Sequence, residues 1–261
     1  AMAGLLLGGV VPPERLAAAA ATGGTGAVRL GFELIRAANP QARLWISRPT
    51  WPNHVTIAQA VGLAWSPYRW IDTETGALDR AGLMADLAQA RAGDVVVLHG
   101  CCHNPTGVDP DLSDWAELAA LCDRNGLIPM VDIAYQGFGE GLDADAAGLL
   151  HLAARLERGI VAASGAKNFG MYRERVGIAM VIAPEAERDT VQGTLAALNR
   201  AAISFPPDHG ARVVTTILND PMLRVAWADE LEGMRRRIEG LRAALARALA
   251  SESGSDRLGF I

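Results

Sequence analysis

The sequence predicts an α/β fold, a three-layer sandwich in which helices cover both faces of a mainly parallel sheet. Three observations lead there. From residue 25 onward, helix-periodic and strand-like segments alternate at short spacing. The stretch DVVVLHG (94–100) carries four consecutive branched apolar residues, as a strand buried on both faces does. The residues that follow each such strand are polar and specific, and ligands of open parallel sheets sit beyond the carboxyl ends of the strands.

Taken in order, the alanine run Ala17–Ala21 reads as helix, since alanine is the strongest helix former. TGAVRLGFELIRAA (25–38) places Val28, Phe32 and Ile35 on one helical face and stops at Asn39-Pro40; RLWIS (43–47) then reads as a strand. DRAGLMADLAQARAG (79–93) is a helix opened by Asp79 that feeds DVVVLHG. DLSDWAELAALCDRNG (111–126) is another, with Gly126 as its stop signal, and LIPMVD (127–132) follows as a strand. IVAAS (160–164) and VGIAMVI (176–182) end the strands, and helices alone follow, the last from Pro221 to Ala250.

Composition sets bounds on function. A chain of 261 residues, half apolar and one fifth charged, has the profile of a globular protein with a sizeable core. A net charge of −5 gives no footprint for nucleic acid or an anionic membrane. Cys101, Cys102 and Cys122 are too few for a disulfide framework and lack zinc-ligand spacing, so no metal is expected and the default setting is reducing and cytoplasmic. The apolar opening AMAGLLLGGVV lacks a basic leader and is too short to span a bilayer. Ala1 precedes Met2, and eleven residues remain after Ala250, so the chain reads as incomplete.

One residue type is nearly missing. Lys167 is the only lysine, and the other 23 of the 24 Lys and Arg residues are arginine. Arginine supplies charge and hydrogen bonds but stays protonated, whereas a lysine can lose its proton and attack a carbonyl to form a Schiff base. Lys167 stands just after the strand IVAAS. Asp132 ends the strand LIPMV, where a carboxylate needs a cationic or hydrogen-bonding partner, and Tyr135 is three residues on. The glycine-rich turn TGGTGAVRL (22–30) leads into a helix, where free N–H groups favour a phosphate, although a plain helix cap fits the same residues. A cofactor with a protonated ring nitrogen, a phenolic oxygen, an aldehyde and a phosphate satisfies all of these, and pyridoxal 5′-phosphate is that cofactor.

The motifs SRPTWPNH, HGCCHNPTG, VDIAYQGFGEGL, SGAKNFGMYRERVG and NRAAISFPPDHGA together resemble the aspartate and aromatic amino acid aminotransferases of the fold type I pyridoxal phosphate enzymes, in the family's order and spacing from about Gly23 onward. The resemblance implies a seven-stranded sheet and a large cofactor domain over 23–230, with 1–22 the remnant of an amino-terminal segment and 231–261 a helix leading into a truncated small domain. It implies that Lys167 carries the cofactor as an aldimine and shuttles protons, and that Asp132 pairs with the ring nitrogen. Tyr135 and Asn104 would bond the phenolic oxygen, and Trp51 would stack on the ring. Gly24, Thr25, Ser164 and Arg175 resemble a phosphate cradle. His54 and His99 fall behind the ring and Asp132, where a structural role serves as well. Trp51, Asn104 and Arg200 resemble substrate-binding residues, Arg200 by reaching into the site of a second copy.

The implied activity is transfer of an amino group from aspartate or an aromatic amino acid to 2-oxoglutarate by a homodimer with shared sites. Another pyridoxal phosphate reaction, a decarboxylation or elimination, and a catalytically silent dimerising fragment are the competing readings. The family's arginine for the substrate α-carboxylate and its phosphate-contacting amino-terminal tyrosine have no counterpart in this stretch. Ile203 and Phe205 replace an aromatic and a small polar residue, and Ala166 replaces a serine.

Overall fold

The computed structural model describes residues 1–253, with side chains up to residue 249. In chain order the elements are α1 (Met2–Leu7), β1 (Leu16–Thr22), α2 (Gly23–Ala38), β2 (Arg43–Arg48), α3 (Pro52–Val61), β3 (Ala64–Arg69), α4 (Arg80–Leu87), β4 (Val95–His99), α5 (Leu112–Asn125), β5 (Ile128–Ile133), α6 (Leu142–Arg155), β6 (Gly159–Ser164) and β7 (Val176–Ile182). Three helices follow, α7 (Glu185–Ile203), α8 (His209–Asn219) and α9 (Pro221–Ser253). Helix ends are chemically marked. Asp79 accepts the N–H of Gly82 to open α4, and Asp111 forms a capping box with Asp114 at α5. Gly126 closes α5 at φ 64°, a left-handed conformation that glycine adopts without strain.

The seven strands form one sheet in the order β1-β7-β6-β5-β4-β2-β3. β2 to β6 pair in parallel, and β7 runs antiparallel to both of its neighbours. Alternation along β4 shows how both faces are buried. Val95 and Val97 pack into a core with Phe32 and Ile57 on one side; Val96 and Leu98 pack with Leu87, Trp115 and Leu149 on the other. Helices therefore lie on both faces, as the three-layer expectation requires. A third, smaller core gathers Val214 and Leu218 of α8 with Trp227 and Leu231 of α9.

The alanine run is the correction. Residues 16–22 are strand β1, not helix, paired antiparallel with β7 along its whole length from Leu16↔Ile182 to Thr22↔Val176. Alanine's helix preference is a fraction of a kcal/mol per residue, and tertiary pairing overrides it. The outer edge of β1 is satisfied by α7. Gln192 accepts the N–H of Ala18 and donates to its carbonyl, Asn199 donates to Ala20 O, and Arg188 to Leu16 O. Strand β1 thus brings into the sheet residues that the sequence places outside the cofactor domain. Helix α9 runs unbroken through the division drawn at 230/231. Residues 254–261 of the segment expected to lead into a small domain lie outside the described residues.

Candidate active site

The carboxyl ends of β1, β2, β4, β5 and β6 come to one edge of the sheet, and the antiparallel β7 brings its start there too. Thr22, His99 and Ser164 close their strands at this edge, Asp132 is the last residue but one of β5, and Arg175 immediately precedes β7. A cleft of about 250 Å3 opens among them. Gly24, Thr25, Trp51 and Asn104 line it, with Asp132, Tyr135, Ser164, Lys167 and Arg175. Every residue expected to hold the cofactor is therefore brought together, from Gly24 at one end of the series to Arg175 at the other. Arg200 is not. It is exposed near the end of α7, away from the cleft lining, and its backbone carbonyl accepts the N–H of Ser204.

One end of the cleft is built for an anion. Helix α2 opens with no side-chain cap at Thr22, so its first-turn N–H groups, including those of Gly24 and Thr25, have no intrahelical acceptors. The Arg175 guanidinium lies beside them, its Nη1 donating to Tyr172 O at 2.9 Å. Gly23, at φ +71°, makes this possible, because a Cβ there would lie 2.6 Å from Arg175 Nη2. The helix dipole and the guanidinium favour negative charge at the same place.

At the opposite side Asp132, 9% exposed, has one carboxylate oxygen engaged and one free. Oδ2 accepts from His54 Nε2 at 3.0 Å, while Oδ1 is buried with no hydrogen-bond partner among the described residues. The proton positions behind it follow from one fixed donor. The N–H of Asn104 donates to His99 Nδ1, so His99 carries its proton on Nε2 and donates to Thr50 Oγ1 at 3.3 Å. The Thr50 hydroxyl is then free to donate to His54 Nδ1 at 2.9 Å, which puts the His54 proton on Nε2, facing Asp132. A chain of hydrogen bonds thus runs from the Asn104 N–H through His99, Thr50 and His54 and ends on the carboxylate. Burial, and then the neighbouring His103 and His54, push the His99 pKa well below the usual histidine range, consistent with this neutral tautomer.

Between the two ends stand Lys167, Tyr135 and Trp51. Lys167 Nζ sits 3.8 Å from the centroid of the Tyr135 ring. Trp51 starts α3 just before Pro52 and meets His54 edge to face, 5.3 Å between ring centres.

Some cleft features went unassigned in the sequence. Tyr172 lines the wall with its ring 5.6 Å from the Arg175 guanidinium, and Cys101 lines it beside His99. Both lie inside the motifs GMYRERVG and HGCCHNPTG, whose other members carry the more specific signals. Thr50 and His103 were also missed. A hydroxyl that sets a tautomer leaves no pattern along the chain, and His103 acts from behind the cleft, bonded to Ser47 and Thr106 and stacked 4.3 Å from Trp70.

His103 makes a pH prediction. Burial, with His54 nearby, lowers its pKa from 6.5 to about 4, so the unfolded chain binds this proton before the folded one does. The neutral form therefore supports the fold fully above pH 6.5, and that support is lost as pH falls towards 4. His103→Gln, which cannot charge, is expected to be less stable than wild type at pH 7, with the gap narrowing by pH 4.5. Urea unfolding midpoints at the two values check it.

A lysine amine, a buried carboxylate with a free oxygen and an uncapped helix start beside an arginine thus stand together in one cleft at the carboxyl edge of a mainly parallel sheet, where ligands of such sheets sit. The chain belongs to the class I and II aminotransferases, whose family model matches residues 1–260. It is 50% identical over 262 residues to an aromatic-amino-acid aminotransferase of Paracoccus denitrificans, and 45% identical over 253 residues to an aspartate aminotransferase of Haemophilus influenzae. All of this chain and 66% of the first are covered, and 97% of this chain and 64% of the second, so the chain spans slightly less than two thirds of either relative's length. Among solved structures, an aromatic amino acid aminotransferase with 3-indolebutyric acid superposes at a TM-score of 0.95 with 49% identity, covering 99% of this chain and 66% of that one. An aromatic-amino-acid aminotransferase of Burkholderia pseudomallei, covalently bound to pyridoxal phosphate, gives 0.95 at 38% identity, with the same coverage.

Proposed function

We propose that the protein transfers an amino group from aspartate or an aromatic amino acid to 2-oxoglutarate, using pyridoxal phosphate held at Lys167. The observation that carries this reading is the free, buried Oδ1 of Asp132 in the same cleft as the chain's only lysine. That oxygen needs a donor, and a protonated ring nitrogen is one. The uncapped start of α2 beside Arg175 fits a phosphate equally well. Bound pyridoxal phosphate supplies an aldehyde that condenses with amines and a conjugated ring that accepts carbanion electrons.

The chain's residues divide the remaining work. Lys167 Nζ would hold the cofactor and is placed to carry a proton at the substrate α-carbon. Asp132 would accept a hydrogen bond from the ring nitrogen and favour its charged form, with His54, itself held by Thr50, bonded to the carboxylate. Tyr135 and Asn104 bond the phenolic oxygen, and Trp51 covers the ring face. Gly24, Thr25, Ser164 and Arg175 hold the phosphate.

Relatives named as aminotransferases support amino transfer over decarboxylation or elimination, and they carry both substrate names. Arg200, exposed on this chain, has a use as a substrate ligand if a second copy presents its cleft to it, so the active unit is a symmetric homodimer. The unpaired thiols of Cys101, Cys102 and Cys122 support a reducing, cytoplasmic setting, and no helix of the described residues is long and apolar enough to cross a membrane.

Glutamate formation from 2-oxoglutarate with aspartate and with phenylalanine as donors tests the function. A guanidinium that binds the far carboxylate of aspartate loses a charged partner on truncation, and such losses cost about 3–5 kcal/mol. Arg200→Ala is therefore expected to lower kcat/KM for aspartate by about 10²–10⁴-fold more than for phenylalanine. Equal losses for both donors, or full activity in a monomer, would mean that Ile203 and Phe205 mark a different pocket and that Arg200 has no such role.

A further inference from the structure

Helix α9 touches both loops that carry the reacting groups. Trp227, 7% exposed, donates its indole N–H to the carbonyl of Asn168 at 2.7 Å, and its ring stacks on Phe169 with centroids 4.4 Å apart and planes within 3°. These two residues directly follow Lys167. One turn further along α9, on the same face, Leu231 is 1% exposed and packs against Gly137, two residues beyond Tyr135. Gly137 has φ +96°, and a Cβ there would run into the Leu231 side chain, so the close approach depends on glycine. The two loops are also tied to each other, the Asn168 Nδ2 donating to Gln136 O at 3.3 Å.

Each contact constrains the backbone next to a reacting side chain. The indole bond holds the peptide between Asn168 and Phe169, and the Leu231 contact holds the turn after Tyr135. The 3.8 Å approach of Lys167 Nζ to the Tyr135 ring spans the two clamped loops. Beyond Leu231 the helix is mostly exposed, with Ile238, Leu241 and Leu245 facing solvent. At 33 residues α9 is about 50 Å long, so displacement of its far half reaches the clamp as a lever would.

We propose that Trp227 is a positioning residue: with Leu231 it clamps the Lys167 and Tyr135 loops to α9, so that the placement of this helix sets where the Lys167 amine stands. The consequence for catalysis rests on the role of Lys167 proposed above. Any body packed on the exposed half of α9 is thereby coupled to the amine.

The lone lysine makes the test direct. Competitive acetylation of the cofactor-free protein with acetic anhydride, read by peptide mass spectrometry, has two amine targets, Lys167 Nζ and the α-amino group of Ala1, and the second is the internal reference. Trp227→Phe keeps an aromatic ring on Phe169 but removes the N–H donor. It is expected to change the Lys167 to Ala1 ratio by about threefold or more, the range typical of coupling through packed networks. Leu231→Val should change it too, while Leu195→Ala, in the separate core formed with Phe32 and Ile57, should lower stability and leave the ratio alone. Unchanged ratios in both α9 variants, with only the urea midpoint lowered, would reduce Trp227 to ordinary core packing and overturn the proposal. If the ratios change but wild-type protein takes up no pyridoxal phosphate, the clamp stands and the proposed function fails. Uptake with unchanged ratios leaves the function standing and removes the clamp.

Discussion

Lys167→Arg is expected to reduce amino transfer by about 10⁴-fold or more while leaving the fold intact. The guanidinium keeps the positive charge in the cleft and can still stack over Tyr135, so electrostatics and packing change little. What is lost is an amine able to give up its proton, bond to an aldehyde carbon and later carry a proton at the same nitrogen. Steady-state turnover with saturating cofactor measures the loss, and circular dichroism with urea unfolding separates it from misfolding. A variant within tenfold of wild-type turnover would remove Lys167 from the chemistry. The pattern in which arginine occupies 23 of the 24 Lys and Arg positions would then have no chemical explanation.

Asp132→Asn carries the second large effect, and it has two opposite signs. In the cofactor-free protein Asp132 has Oδ1 buried and unpaired, an arrangement that works against folding because the group gives up water without a partner. Asparagine keeps an acceptor for the His54 N–H and removes the charge, so the variant without cofactor should be as stable as wild type or more so. With pyridoxal phosphate added, the order reverses. Wild type gains a charge-assisted hydrogen bond that the variant lacks, so the melting-temperature rise on adding cofactor should be much smaller in Asp132→Asn. Turnover should fall by about 10²–10⁴-fold, since the ring nitrogen loses the partner that keeps it charged. A variant less stable than wild type without cofactor, yet stabilised equally by it, would make Asp132 a structural carboxylate only.

Much of the sheet was legible because its central strands are buried on both faces. VVVL in β4, LIPMV in β5 and IVAAS in β6 need no long-range information to be read as strands, and the polar residues behind them mark the ligand edge. The sheet margins were harder. β1 is five alanines held as a strand by β7 on one side and by the side chains of Arg188, Gln192 and Asn199 on the other, partners more than 150 positions away. β3 has Pro67 within it and lies at the opposite edge, where proline's missing donor is tolerated but the strand pattern is blurred, and it drew no assignment.

The site divides along similar lines. Lys167, Asp132, Tyr135, Asn104 and Arg175 each sit inside a distinctive motif next to a strand end, and the fold assembles them in one cleft. The supporting shell is invisible along the chain because it is made by contacts between elements. Thr50 sets two histidine tautomers from the loop after β2, His103 stacks on Trp70 beyond β3, and Trp227 reaches the lysine loop from 60 residues downstream. Gly137 shows the difference well. It reads as one more glycine in QGFGEG until Leu231 is placed against it.

Borohydride reduction of the protein in the presence of pyridoxal phosphate, followed by peptide mapping, tests the central claim most directly. The account predicts one pyridoxyl group per chain, on the peptide that contains Lys167, and its disappearance in Lys167→Arg. Incorporation confined to the α-amino group of Ala1, or equal incorporation in Lys167→Arg, would contradict it.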